Sequence, residues 1–238
     1  MASTLHRALA GKLSNMAAPN VLPWSYSSLS AFETCPKRYH LTKILKQVVE
    51  PQTAQTMWGN EVHRALENAV GGVEPLPVRF KAYQPIVSKI IKSPGQKFTE
   101  GKFGLTAGFK PTSFFAKDVW FRGVIDLQIV QPKVATAVDW KTGKVKTDGD
   151  QMKLFAAATF AQHPYLEQVK TAYVWLAHGK VTSETFTPKD VPVIWQAFTP
   201  RVQRMVKALE LDRWPPNPSG LCKSYCPVGA KLCEFCGS

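Results

Sequence analysis

The chain has 238 residues, 45% of them hydrophobic, which is enough for one ordinary domain with a core of its own, or one with a small appendage. Thirty lysines and arginines against 17 acids give a formal charge of +13, and an excess of that size points to a polyanionic partner, nucleic acid foremost. No apolar run approaches the ~20 residues of a membrane span and the start lacks a secretory core, so a membrane is excluded and a cytoplasmic setting is expected.

Residues 1–20 contain no acid and carry His6, Arg7 and Lys12, which reads as a disordered basic tail with a superficial likeness to a transit peptide. Ser25 to Leu45 reads as helical, with Ser27 as the cap, Leu29, Phe32 and Tyr39 as its apolar stripe, and a break at Cys35-Pro36. Lys37, Arg38, Lys43 and Lys46 make its polar face basic. A helix from about Thr56 to Val70 turns Met57, Val62, Leu66, Ala69 and Val70 inward and ends at Gly71-Gly72. His63 sits on the edge of that face. A further helix spans Val78 to Lys92. The period then changes to two: Gln96–Ala107, Val119–Val130 and Ala135–Trp140 form a strand meander, with Glu100 on the first strand and Gln131-Pro132-Lys133 as a turn. After a polar loop from Lys144 to Gly149, a helix from Asp150 to Gln162 buries Leu154, Phe155, Ala158 and Phe160. Strands at Val169–Ala177 and Val181–Phe186 follow. Val191 to Leu211 is helical with an interruption at Pro200, and Arg201, Arg204 and Lys207 form either a phosphate-binding ridge or a solvated face.

Two strand-like runs carry acids where packing alone would not put them: Asp126 within Phe121–Leu127, and Asp139 within Ala137–Gly143. Side chains alternate along a strand, so Asp139 and Lys141 share a face. Phosphodiester hydrolysis needs an activated water and relief of charge on phosphorus, and a hard divalent ion such as Mg²⁺ or Mn²⁺ on carboxylates supplies both. Asp126 and Asp139 would be the carboxylates, the Trp140 carbonyl a third oxygen, and Lys141 the group that orients water or stabilises developing charge. The plain alternative is a buried Asp139–Lys141 ion pair with Asp126 capping a turn. Gln151, in the first turn of the next helix, is placed to reach substrate or a metal-bound water.

Four motifs in order resemble the PD-(D/E)XK nuclease superfamily, in particular its RecB-like branch, which includes CRISPR adaptation nucleases and phage exonucleases. These are Gly59-Asn60-Glu61-Val62-His63, Gly123-Val124-Ile125-Asp126, Val138-Asp139-Trp140-Lys141-Thr142-Gly143 and Gln151-Met152-Lys153-Leu154-Phe155. Two departures stand out: the (D/E)-x-K acid is Asp, and Phe155 replaces the usual Tyr. The resemblance implies an α/β restriction-endonuclease-like core, with helix, three-strand meander, helix and strand, over residues 21–213. It implies His63 as a metal ligand and leaves Glu100 as a secondary candidate.

The C-terminus carries Cys222-x3-Cys226-x6-Cys233-x2-Cys236, and with no secretion signal such density argues for metal rather than disulfides. Either these four hold Zn²⁺ locally, or Cys35 joins three of them around an iron–sulfur cluster. The resemblance implies the cluster, held by Cys35, Cys222, Cys226 and Cys233 with Cys236 spare. Residues 214–238 would then be a cysteine-rich staple packing on the core.

The expectation is a metal-dependent deoxyribonuclease acting as an exonuclease in DNA replication, recombination or repair, in a phage-infected or bacterial cytoplasm, with a helicase or recombination protein as a partner. The alternative is a noncatalytic or partner-dependent nucleic-acid-binding subunit on a nuclease fold.

Overall fold

The computed structural model describes residues 23–145 and 149–237, so the expected basic tail and the middle of the 144–149 loop lie outside the described residues. In chain order the elements are α1 (Tyr26–Thr34), α2 (Pro36–Tyr39) running into a π turn (His40–Ile44), α3 (Ala54–Gly71), a 3₁₀ segment (Val78–Tyr83), α4 (Gln84–Lys92), β1 (Gln96–Leu105), β2 (Pro111–Thr112), β3 (Phe121–Val130), β4 (Val134–Lys141), α5 (Asp150–Gln162), β5 (Gln168–Trp175), β6 (Lys180–Phe186), α6 (Val191–Glu210) and α7 (Cys222–Tyr225). They fall into two compact units, one of Gln55–Gln196, the other of Trp24–Ala54 with the chain from Ala197 onward.

The first unit is built on a six-stranded sheet ordered β2-β1-β3-β4-β5-β6. Neighbouring strands are antiparallel except β4 and β5, which run parallel because α5 carries the chain back across the sheet between them. This is the expected meander, helix and strand. One face of the sheet offers Leu127, Ile129, Val138 and Trp140 to Val62, Leu66, Ala69 and Val70 of α3. The other face takes α5: Gln128 donates to Thr159 at 3.0 Å, and Phe155 meets Phe103 edge-on at 6.3 Å. The residue that stands where the family has Tyr is thus a buried ring packed on β1.

Gly123 is required by that packing. A Cβ there would stand 2.6 Å from the Phe103 ring, inside any tolerable contact.

The second unit gathers α1, α2 and the C-terminal segment. Phe32, Tyr39 and Trp214 pack ring on ring with centroids 5.9 to 6.3 Å apart, and His40 stacks flat on Trp214 at 4.5 Å. Glu33 accepts two bonds from Arg201, at 2.8 and 2.6 Å, and one from Arg204 at 3.3 Å. The basic ridge is therefore partly neutralised by α1. Lys37 pairs with Glu234 at 3.1 Å, and Arg38 and Lys43 both pair with Glu50, so three of the four cations expected on an open basic face are engaged.

Several local expectations are corrected. Ser25, not Ser27, caps α1, in a reciprocal box with Ser28. The expected break at Cys35 is present and follows from Pro36, which forces the preceding residue extended; Cys35 has φ −163° and ψ 106°. The 78–92 helix is two pieces, because Pro85, which lacks an N–H, stands in the opening turn of α4. Met57 is 53% exposed rather than inward. Helix α6 runs through Pro200 without interruption: the ring removes one N–H bond, but Phe198, Val202 and Met205 are buried on either side of it.

Candidate active site

Strand register lines up the acids. Thr99 pairs with Leu127 and Gly101 with Ile125, so Glu100 stands across from Asp126. The β3–β4 ladder ends at Leu127 and Val138, one step short of Asp126 and Asp139. On the far side of β4, Asp139 pairs with Tyr173 of β5. One row across the sheet thus carries Glu100, Asp126, Asp139 and Tyr173, and the strands part in its middle.

Asp126 closes that gap itself. Its Oδ2 accepts the backbone N–H of Trp140 at 2.7 Å, replacing the lost ladder bond. His63, from α3 on the opposite face, brings Nδ1 to 3.5 Å from the same oxygen. Ligating atoms of His63, Glu100 and Asp126 all lie within 4.8 Å of one another, the one such His/Cys/Asp/Glu group among the described residues. Glu100 reaches this point from a left-handed backbone, φ +48°, which a non-glycine residue adopts only at a cost of roughly 1–3 kcal/mol.

Asp139 faces α5. Gln151 Nε2 donates to Asp139 Oδ1 at 2.9 Å, while its Oε1 accepts from Lys141 Nζ at 3.1 Å. Lys141 Nζ stands 2.6 Å from Asp139 Oδ2 and 5.1 Å above the Tyr173 ring. That ammonium is the close charged partner of Asp139 Oδ2. The amide of Gln151 is therefore engaged at both ends, holding acid and cation in place.

The electrostatics are those of carboxylates kept too close together. Burial, then the Asp126 charge, pushes Asp139 up to about 6 despite Lys141. Burial, then Asp126 and Glu67, raises Glu100. Burial works against a charged His63, but the Asp126 hydrogen bond and charge, with Asp139 and a backbone bond to Trp140, more than offset it, and its pKa is raised. A divalent cation would relieve all of these at once. The donor set of His63, Glu100 and Asp126 is carboxylate oxygens and one imidazole, and it fits a hard or borderline ion. Trp140, whose carbonyl was an expected ligand, has its backbone at the same point.

In the second unit Cys35, Cys222, Cys226, Cys233 and Cys236 line one pocket. Cys236, expected to be spare, is 8% exposed, and burial together with contacts to Cys226 and Cys233 pushes its thiol up to about 12. Cys35 accepts the Asn217 N–H at 3.5 Å and Cys222 the Ser219 N–H at 3.3 Å. Five soft donors facing one hollow are the chemistry of a thiolate-bound metal.

A mixed sheet with its acids where the central strands part, and a helix returning over them, is a restriction-endonuclease-like fold. The family model of the PD-(D/E)XK nuclease superfamily matches residues 23–97 and 88–234, and the chain belongs to that superfamily. Among solved structures it is similar to a protein from Eubacterium rectale named "putative exonuclease", at 12% identity over 93% of this chain and 91% of that one, with a TM-score of 0.50. It is also similar to SSO0001, at 14% identity over 99% and 97%, with a TM-score of 0.47. No curated protein matches the chain. No described helix is long and apolar enough to cross a membrane.

Sequence reasoning missed three participants. Tyr173 enters only through the parallel register of β4 and β5. Glu67 raises Glu100 from one turn beyond His63. Thr142 meets α3 at Gly59, where a Cβ would stand 3.2 Å from its hydroxyl. The last had a signal, since a glycine inside an amphipathic helix calls for a close neighbour.

Proposed function

We propose that this nuclease is a Mg²⁺- or Mn²⁺-dependent exonuclease of the RecB-like branch, hydrolysing phosphodiester bonds in DNA during replication, recombination or repair. His63, Glu100, Asp126 and Asp139 would hold the metal, with the Trp140 carbonyl beside them. The observation that carries this reading is the convergence of His63, Glu100 and Asp126, whose ligating atoms lie within 4.8 Å of one another, close to the buried Asp139. When bound, the metal supplies an acidified water and neutralises phosphate charge.

The chain's own residues do the remaining work. Lys141, whose ammonium stands 2.6 Å from Asp139, would orient the attacking water and stabilise charge on a phosphoryl oxygen. Gln151 is a positioning residue, since it holds Asp139 and Lys141 in one geometry. Burial of Asp139, 4% exposed, strengthens every charge interaction there. The formal charge of +13 favours a polyanion. A fold neighbour named "putative exonuclease" is in keeping with this reading.

The cysteine pocket would hold an iron–sulfur cluster or Zn²⁺ as a structural staple, through Cys226, Cys233 and Cys236 with Cys35 and Cys222 on the same hollow. A helicase or recombination protein is the expected partner.

The test uses anaerobically purified protein on end-labelled linear DNA with Mg²⁺, Mn²⁺ or chelator, beside Asp139→Ala. Metal-dependent release of label, absent in the variant, supports the reading and gives the polarity. Intact, metal-loaded protein that leaves DNA uncut overturns it.

A further inference from the structure

Three groups hold the Lys141 ammonium. Asp139 Oδ2 stands 2.6 Å away, and Gln151 Oε1 accepts from it at 3.1 Å. The third is the ring of Tyr173, whose centroid lies 5.1 Å from Nζ, within the ~6 Å reach of a cation–π contact. Register puts the ring there. On β5, Tyr173 pairs with Asp139 and Trp175 with Lys141. Paired neighbours share a face of the sheet, and so do residues two apart on one strand. Acid, cation and both rings therefore stand on one face.

The Tyr173 ring is itself braced. It meets the Trp175 ring at 5.4 Å between centroids, and Trp175 Nε1 donates to Thr182 of β6 at 3.0 Å. Both rings are buried, whereas the Lys141 side chain is 32% exposed. A lysine has a flexible four-carbon stem and a strongly hydrated ammonium, so a half-open site lets it swing out to water. A fixed aromatic face beside Nζ attracts the charge and takes the place of water there. This contact also differs in kind from the other two. Asp139 is a prospective metal ligand and Gln151 is bonded to it, while the face of a ring offers a hard cation no oxygen. The hold of Tyr173 on Lys141 is the one that sharing Asp139 with a metal leaves unchanged.

We infer that Tyr173 is a positioning residue for phosphodiester cleavage: its ring face, backed by Trp175, fixes the Lys141 ammonium beside Asp139, and through Lys141 it sets the turnover rate. The inference rests on the nuclease reading of the site. The ring carries this role, so Phe can replace Tyr173 and an aliphatic side chain cannot. A tyrosine that only filled the core would act on stability alone.

The test titrates end-labelled linear DNA against each variant at saturating Mn²⁺. Tyr173→Leu is expected to lower kcat by roughly two- to 30-fold, the worth of a cation–π contact, with KM unchanged, and Tyr173→Phe to restore it. Should the Leu variant fail to fold, Tyr173→Met, whose unbranched chain adapts to irregular gaps, takes its place. A second readout needs no catalysis. Urea unfolding without added divalent metal closes a double-mutant cycle between Tyr173→Leu and Lys141→Met, with an expected coupling again of roughly two- to 30-fold in the unfolding constant. Unchanged kcat in Tyr173→Leu, equal losses in the Leu and Phe variants, or a cycle without coupling overturns the inference. A parent protein that leaves DNA uncut removes the nuclease reading, and the cycle alone then decides: coupling supports the hold of Tyr173 on Lys141, and its absence overturns it.

Discussion

Asp126 commits one carboxylate oxygen to the backbone N–H of Trp140, 2.7 Å away, at the step where β3 and β4 cease to pair. The acid thus props open the gap in which the site lies. Asp126→Asn retains an acceptor oxygen and is expected to fold with near-parent stability while losing more than ~10²-fold in cleavage rate. Asp126→Ala leaves the Trp140 N–H unpaired beside a buried indole, and should lose a further ~1–3 kcal/mol in urea unfolding. Equal stability of the two variants would show that the hydrogen bond does not hold the gap.

The pH dependence has a defined sign. In metal-free protein Asp139 titrates at about 6 against an ordinary 3.8, so the unfolded chain gives up that proton first as pH rises. Over about pH 4 to 6 the folded state holds more protons, and stability falls with rising pH until the group is ionised in both states. His63, also raised, adds a loss in the same direction at higher pH: its contribution is full below its unfolded pKa and gone above its folded one. Denaturant curves in chelator across this range should show the decline, and Asp139→Asn should remove its lower part. Metal binding requires both groups deprotonated, so cleavage should rise with pH through the same region.

Gly123→Ala forces a Cβ to 2.6 Å from the Phe103 ring and should cost ~1–3 kcal/mol in urea unfolding. Phe103→Leu in that background makes room, so the double variant should lose less than the sum of the singles. Additive losses would show that the contact is not the cause.

Cys236 touches Cys226 and Cys233, so Cys236→Ala should lower the iron or zinc bound per chain and reduce the melting temperature. Iron, sulfide and zinc analysis of anaerobically purified protein reads this directly. Full metal content in the variant would return the ligand set to Cys35, Cys222, Cys226 and Cys233.

By itself the sequence determined the succession of the main elements and singled out candidate residues such as Asp126, Asp139 and Lys141. Period-two runs with β-branched residues marked the strands around Asp126 and Asp139, and period-3.6 apolar positions marked α3, because both patterns are local consequences of backbone geometry. Asp-x-Lys put Asp139 and Lys141 on one face for the same reason. What lay beyond it depends on contacts between distant segments. That Glu100 stands across from Asp126 follows from a strand register set by packing over the whole β1–β3 ladder, and its left-handed backbone has no sequence signature. That Gln151 bridges Asp139 and Lys141 rather than facing an open site depends on where α5 settles after its loop. Tyr173 joins the row only because a crossover helix makes β5 parallel to β4. Cys236 enters the thiol pocket because the C-terminal segment folds back on itself, a closure that spacing alone does not specify.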